Sequence, residues 1–158
     1  MFRAMRRGKQ ALTQEECIEI LKSRPRGVLS LLGEDGYPYG LPIDYWYNAA
    51  DGRLYFHGAK EGHKIDAIKA CDKASFCVCD EGHPEGDDWP LHFCSVIVFG
   101  RIAPVTDHAV TLEACRRLAE KFTDDAAYID AEIASAEHRV LCLALTPEHI
   151  TGKRVKEC

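Results

Sequence analysis

Between residues 27 and 58 the chain reads GVLSLL, GEDG, YGLPIDYWY, AADG and RLYFHG. Short runs rich in β-branched and aromatic residues, separated by glycine-containing turns, are the signature of antiparallel strands. The stretch therefore predicts a three-stranded meander. Pro38 and Pro42 have no N–H to give to a ladder, so the middle strand is expected to be bulged or to lie at an edge that a ligand or another chain can approach.

The flanking sequence supplies helices and more strands. Thr13 and Glu16 have capping-box spacing and Leu12 can pack on Cys17, which predicts a helix over Gln14–Ser23 that Pro25 ends. HKIDAIKAC predicts a helix with Ile65 and Ile68 on one face. LEACRRLAEKF predicts another, its apolar face made by Leu112, Cys115, Leu118, Ala119 and Phe122. ASFCVCD and RVLCLAL read as strands, with TPEHITGKR trailing from the second, and LHFCSVIVFGRIAPV is long enough to serve two sides of a barrel. Six strands with apolar faces need closure or cover. The expectation is a mainly β fold with some α structure, a six-stranded antiparallel barrel with flanking helices, formed by all 158 residues as a single domain.

Composition narrows the function. A formal net charge of -5 provides no basic footprint for nucleic acid, although MFRAMRRGKQ is locally basic. That start is not followed by an apolar signal core, and no later run has the length of a membrane span, so the expectation is a cytoplasmic protein. Several of the eight cysteines fall in apolar runs, where they read as small core residues. Cys79, His83, His92 and Cys94 frame the loop DEGHPEGDDWPL with metal-ligand chemistry but lack a paired C-x-x-C knuckle. A plain loop is the preferred reading, and no metal is expected. No G-x-G-x-x-G follows a strand, which argues against a Rossmann cofactor site.

The stretch LYFHGAKEGHKIDAI, residues 54–68, gathers His57, Lys60, His63 and Lys64 around a strand-to-helix turn with two glycines. Free N–H groups at a helix start beside cations make an anion site. A solvated turn explains the same residues, and the stretch alone leaves both open.

GVLSLLGEDGYPYGLPIDYWY, LYFHGAKEGHKIDAI and SVIVFGRI, in that order, resemble the flavin-binding split-barrel superfamily that includes pyridoxamine 5'-phosphate oxidase. Within it the chain is most similar to the 5-nitroimidazole-resistance (nitroimidazole reductase) branch, with ITGK at 150–153 as a further similar segment. The resemblance spans residues 8–153 and implies a homodimer of six-stranded split barrels holding two FMN molecules at the subunit interface.

Position by position, the resemblance implies that Val28, Leu29 and Ser30 lie beside the flavin ring or ribityl chain, and that the backbone of Pro42, Ile43, Asp44 and Tyr45 flanks the isoalloxazine. Phe56, His57, Gly58 and Ala59 would line the flavin, and His63 and Lys64 would hold its phosphate. Ser95 and Val96 would join the pocket, from the same or the partner subunit, and Lys153 would approach the flavin or its phosphate. His57 is the candidate catalytic residue, because histidine titrates near neutral pH and can polarise or protonate a substrate. Packing on the flavin explains it equally well. Tyr45 and Trp46 read more readily as core or interface than as a substrate platform, and Lys60 and Glu61 as exposed turn charges. Cys94 and the acidic loop at 81–90 depart from the family pattern at the pocket mouth.

Two function classes follow. One is an FMN-dependent oxidoreductase that reduces a nitro compound or another small electrophile with electrons from NADH, NADPH or another donor. The other is a flavin- or haem-binding or redox-sensing protein without turnover. One fold hosts both.

Overall fold

The structure is a computed structural model and describes residues 1–34, 36–86, 89 and 91–156. The first helix, α1 (Gln14–Ser23), carries both halves of its capping box. The Thr13 N–H donates to Glu16 Oε2 at 2.8 Å, and the Glu16 N–H donates to Thr13 Oγ1 at 3.2 Å. Leu12 and Cys17 are both buried in the main core. Pro25 disfavours a helical Arg24, which is extended and ends α1.

Among the described residues eight strands follow: β1 (Arg26–Leu32), β2 (Pro38–Asp44), β3 (Trp46–Asn48), β4 (Arg53–Ala59), β5 (Lys73–Cys79), β6 (His83–Pro84), β7 (Leu91–Pro104) and β8 (Val140–Lys156). Three more helices stand among them: α2 (His63–Ala70), α3 (His108–Ala119) and α4 (Ala126–Ala136). The sheet is antiparallel in the order β2-β1-β5-β7-β8-β4-β3, with β6 paired to β7. The fold is mainly β, a split barrel flanked by helices. Among the described residues, no helix is long and apolar enough to cross a membrane.

The meander expected from the first three strand-like runs does not form as such. Its hairpins do, β1 with β2 and β3 with β4, but they stand at opposite ends of the strand order. The cause is a change of partner at Tyr45. The β1–β2 ladder runs out at Arg26 opposite Asp44, where Pro25 turns the chain into α1, and the Tyr45 N–H makes a last bond to the Pro25 carbonyl at 3.3 Å. The same extended run then continues on β4, so one stretch of chain joins the two sheet ends and closes the barrel. This break and the two-residue β6 account for eight strands where six are expected from the sequence. β2 is an edge strand, as its prolines require.

TPEHITGKR does not trail away. It extends β8 to 17 residues and pairs with β7 along its length, with a register shift between Phe99 and Gly100 opposite the 147–149 stretch. Pro147 sits at this irregularity, where a missing N–H is tolerated, and a side chain at Gly100 would collide with the Thr146 carbonyl.

Leu29, Tyr45, Phe56, Phe76, Val96 and Val98 fill the barrel. A second cluster lies on the outside of β4 and β8, where Ala114 of α3 packs with Tyr55, Cys142 and Ala144. Helix α3 thus covers one outer face. The other stays bare: Pro42, Val28, Cys77 and Ile97 are successive cross-strand partners on β2, β1, β5 and β7, and Val28 is 43% exposed.

Candidate functional site

Alternation along β4 decides which way its conspicuous residues point. Phe56 is fully buried in the barrel and His57, next along, faces outward. After Ala59 the chain turns through Gly62, whose φ of +114° few other residues would adopt, into α2. Among the described residues, no side chain caps that helix start. Lys64, in its first turn, lies back over β4, so close that a Cβ added at Gly58 would stand 2.6 Å from Lys64 Nζ. Glycine at 58 is what leaves room for this cation. No described carboxylate forms an ion pair with Lys64, and burial alone holds its pKa below the ordinary lysine range. His63 stacks on Tyr39 of β2, with ring centroids 4.1 Å apart and planes within 17°.

Across the barrel seam, Arg26 and Asp44 are strand partners and form a two-pronged pair, Nε to Oδ1 at 2.6 Å and Nη2 to Oδ2 at 3.2 Å. With Pro42, Ile43 and His57 they line a cavity of about 360 Å³. Asp44 and His57 also form the wall of a second cavity, about 280 Å³, that runs between α3 and α4. A third, about 310 Å³, is bounded by Gly58, Ala59, Ala136, Arg139 and Val140. The three surround the end of β4. His57 is exposed in the free chain, yet its ring is recessed between two of them. Partial loss of water lowers its pKa below the usual histidine value; the Asp44 charge opposes this and the Lys64 charge adds to it. The ring is therefore mainly neutral at pH 7.

Several sequence-predicted residues meet here: Pro42, Ile43, Asp44, His57, Gly58, Ala59 and Lys64. Others do not bring their side chains. Leu29, Phe56 and Val96 are fully buried core residues and could reach a ligand only through the main chain. Tyr45 is likewise a core side chain, its hydroxyl donating to the Leu21 carbonyl at 2.8 Å and its ring edge-on to Phe76. Val28 and Ser30 lie on the bare outer face of β1, with Ser30 opposite Gly40 and Ser75. Ser95 and Lys153 are partners on β7 and β8, but Lys153 is eleven residues along β8 from Cys142, the partner of His57, or roughly 35 Å of extended chain. Within one copy they stand far along β8 from His57.

Lys60, read as an exposed turn charge, is exposed, and it also donates to the His138 carbonyl at 2.6 Å, which ties the β4–α2 turn to the start of β8. Among the described residues, no group of three or more histidine, cysteine or acidic side chains is placed to hold a metal. The loop at 81–90 falls partly outside the described residues.

Sequence reading missed α4, Arg26, Arg139 and Lys121. Helix α4 buries only Ile129; its signals are the helical spacing of Ile129, Ile133 and Ala136 and an N-cap at Asp125, whose side chain accepts from the Tyr128 N–H. Lys121 braces the barrel corner, donating to the carbonyls of Arg24 at 3.0 Å and Tyr45 at 2.6 Å while standing 4.3 Å from the Tyr45 ring centroid. Burial lowers its pKa to about 8, against the opposing charge of Asp44.

The family model described as pyridoxamine 5'-phosphate oxidase matches residues 13–154. No curated protein matches the chain by sequence. Among solved structures, a candidate 5-nitroimidazole antibiotic resistance protein from Bacteroides thetaiotaomicron superposes with a TM-score of 0.75 at 18% identity, covering 93% of this chain and 90% of that one. A FAD-binding protein from Mesorhizobium loti superposes with a TM-score of 0.69 at 25% identity, covering 93% and 98%. The flavocytochrome Anf3 from Azotobacter vinelandii superposes at 0.76 with 20% identity, covering 98% and 73%.

Proposed function

The chain belongs to the pyridoxamine 5'-phosphate oxidase family, and from that premise we propose that it is an FMN-dependent oxidoreductase reducing a small electrophile such as a nitro compound. The observation that carries the reading is Lys64, a half-buried cation without a described acidic partner, laid across Gly58 at an uncapped helix start and one residue along β4 from His57. Lys64 and the first N–H groups of α2 fit a phosphate, since fixed donors and an under-solvated cation are both relieved by an anion. The solved neighbours described as FAD-binding lend support to a flavin.

When bound, the flavin would supply hydride and electron transfer. The protein's own residues would bind and orient. Pro42 and Ile43 would wall the ring, and Arg26 would hold the Asp44 carboxylate in place beside His57. His57, mainly neutral at pH 7, offers one N–H to a substrate oxygen and one bare nitrogen to a proton. NADH or NADPH is the candidate electron donor.

The same reading calls for a homodimer. Ser95 and Lys153 lie far from His57 within one copy, and the bare row Pro42, Val28, Cys77 and Ile97 offers a second copy an apolar seat next to the proposed flavin. The described cysteines are all unpaired, which suits a reducing, cytoplasmic setting.

The test is the colour and redox behaviour of the purified protein. We expect yellow protein whose flavin bleaches on anaerobic addition of NADH or NADPH and recovers with a nitroaromatic. Bound flavin that neither nicotinamide nor another reductant can pass on to an acceptor would overturn the enzyme assignment. A Soret band without flavin would overturn the cofactor.

A further inference from the structure

The cavity between α3 and α4 is not used by the phosphate, ring or dimer contacts proposed above. Its body is apolar: Leu112, Cys115 and Ala119 come from α3, and Ile129, Ile133 and Ala136 from α4. Its polar lining is one-sided. Asp44, Glu132 and Glu137 are acidic, His57 is mainly neutral at pH 7, and none of the described lining residues is lysine or arginine. Asp44 already has Arg26 as its counter-ion on the far side of the seam, and Glu137 faces His108 at 3.7 Å.

We propose that this cavity is the site of the second substrate and selects an uncharged or cationic aromatic of one ring or two small fused rings, excluding anions. The assignment rests on the flavin reading, since Asp44 and His57 are shared with the neighbouring cavity assigned there to the flavin ring. Size follows from volume. A dry apolar cavity of about 150 Å³ accommodates benzene, so about 280 Å³ takes a substituted monocycle with its body between the helices. Orientation follows from the polar end, where an acceptor group such as a nitro oxygen meets the His57 N–H. Charge selection follows from the carboxylates: an anionic substituent would enter a partly desolvated site with acidic groups and no lining cation to answer them.

The experiment is equilibrium binding by calorimetry to the full chain without reductant, both flavin-loaded and flavin-stripped. The probes are 4-nitrobenzyl alcohol, 4-nitrobenzylammonium and 4-nitrobenzoate, alike in shape but different in charge. The neutral and cationic probes should bind at least about tenfold tighter than the carboxylate. Replacing both Glu132 and Glu137 by glutamine should pull that ratio towards one. Ala119→Trp, and independently Ile133→Trp from the other wall, should abolish binding while leaving flavin content unchanged. Equal or tighter binding of 4-nitrobenzoate overturns the proposal. So does full binding in both tryptophan variants. Protein that takes up no flavin but keeps the charge preference overturns the flavin reading and supports the cavity assignment, so the two fail separately.

Discussion

Replacing Lys64 by alanine separates a phosphate anchor from a structural lysine. In the free chain Lys64 is half-buried without a described acidic partner, and burial disfavours its charge. Removing it should therefore leave the flavin-free fold as stable as wild type, or slightly more so. The loss appears only with ligand. A charge-assisted hydrogen bond to phosphate is worth about 1.5–3 kcal/mol, so FMN affinity should fall by roughly ten- to a hundredfold. Riboflavin, which lacks the phosphate, should bind wild type and variant alike. Fluorescence titration of both ligands, with thermal unfolding of the stripped protein, reads all three quantities. Gly58→Ala is the matched control from the opposite side: its Cβ would meet Lys64 Nζ at 2.6 Å, and the flexible lysine end can yield without unfolding β4. It should weaken FMN more than riboflavin in the same way. Equal loss of both ligands in Lys64→Ala, or unfolding of the stripped variant, would refute the phosphate role.

His57→Ala should keep its flavin but lose at least about tenfold in nitroaromatic turnover per bound flavin, the low side of what a positioned acid or base contributes; altered flavin affinity with unchanged normalised turnover would show a packing role instead. Lys121 makes stability depend on pH. Its pKa is about 8 when folded against an ordinary 10.5, so below about 8 the folded state bears the full cost of the charge, and stability should rise as pH climbs from about 8 to 10.5. That rise should vanish from the pH profile of Lys121→Met in urea unfolding. Val28→Asp on the bare sheet face should shift the protein to monomer in sedimentation and release its flavin, while circular dichroism stays unchanged; a monomer that keeps its flavin would contradict the shared site.

Local chemistry was enough to place α1, whose capping box and staple act within a few residues, and to set inward and outward faces on β1 and β4, where alternation is a property of the extended chain itself. It also brought His57, Gly58 and Lys64 to one turn, because a strand end, a glycine and a helix start are contiguous in sequence. What neighbours that turn was another matter. The extended run at 38–48 reads as one strand, and nothing local says that it loses β1 at Pro25 and gains β4 beyond Tyr45, since that exchange depends on where α1 packs. The resemblance put Leu29, Phe56 and Val96 beside a ligand and the backbone of Tyr45 along the flavin ring; barrel closure turns all four side chains into the core and leaves their main chain to reach a ligand. Helix α4 and Arg139 come to the site only because β8 returns antiparallel to β4, a contact between residues more than eighty positions apart. The sequence by itself determined the strands, the turns and the cationic strand-to-helix corner. Only the tertiary structure decided which groups share a cavity with it, because ladder partners and helix cover are set by burial across the whole barrel.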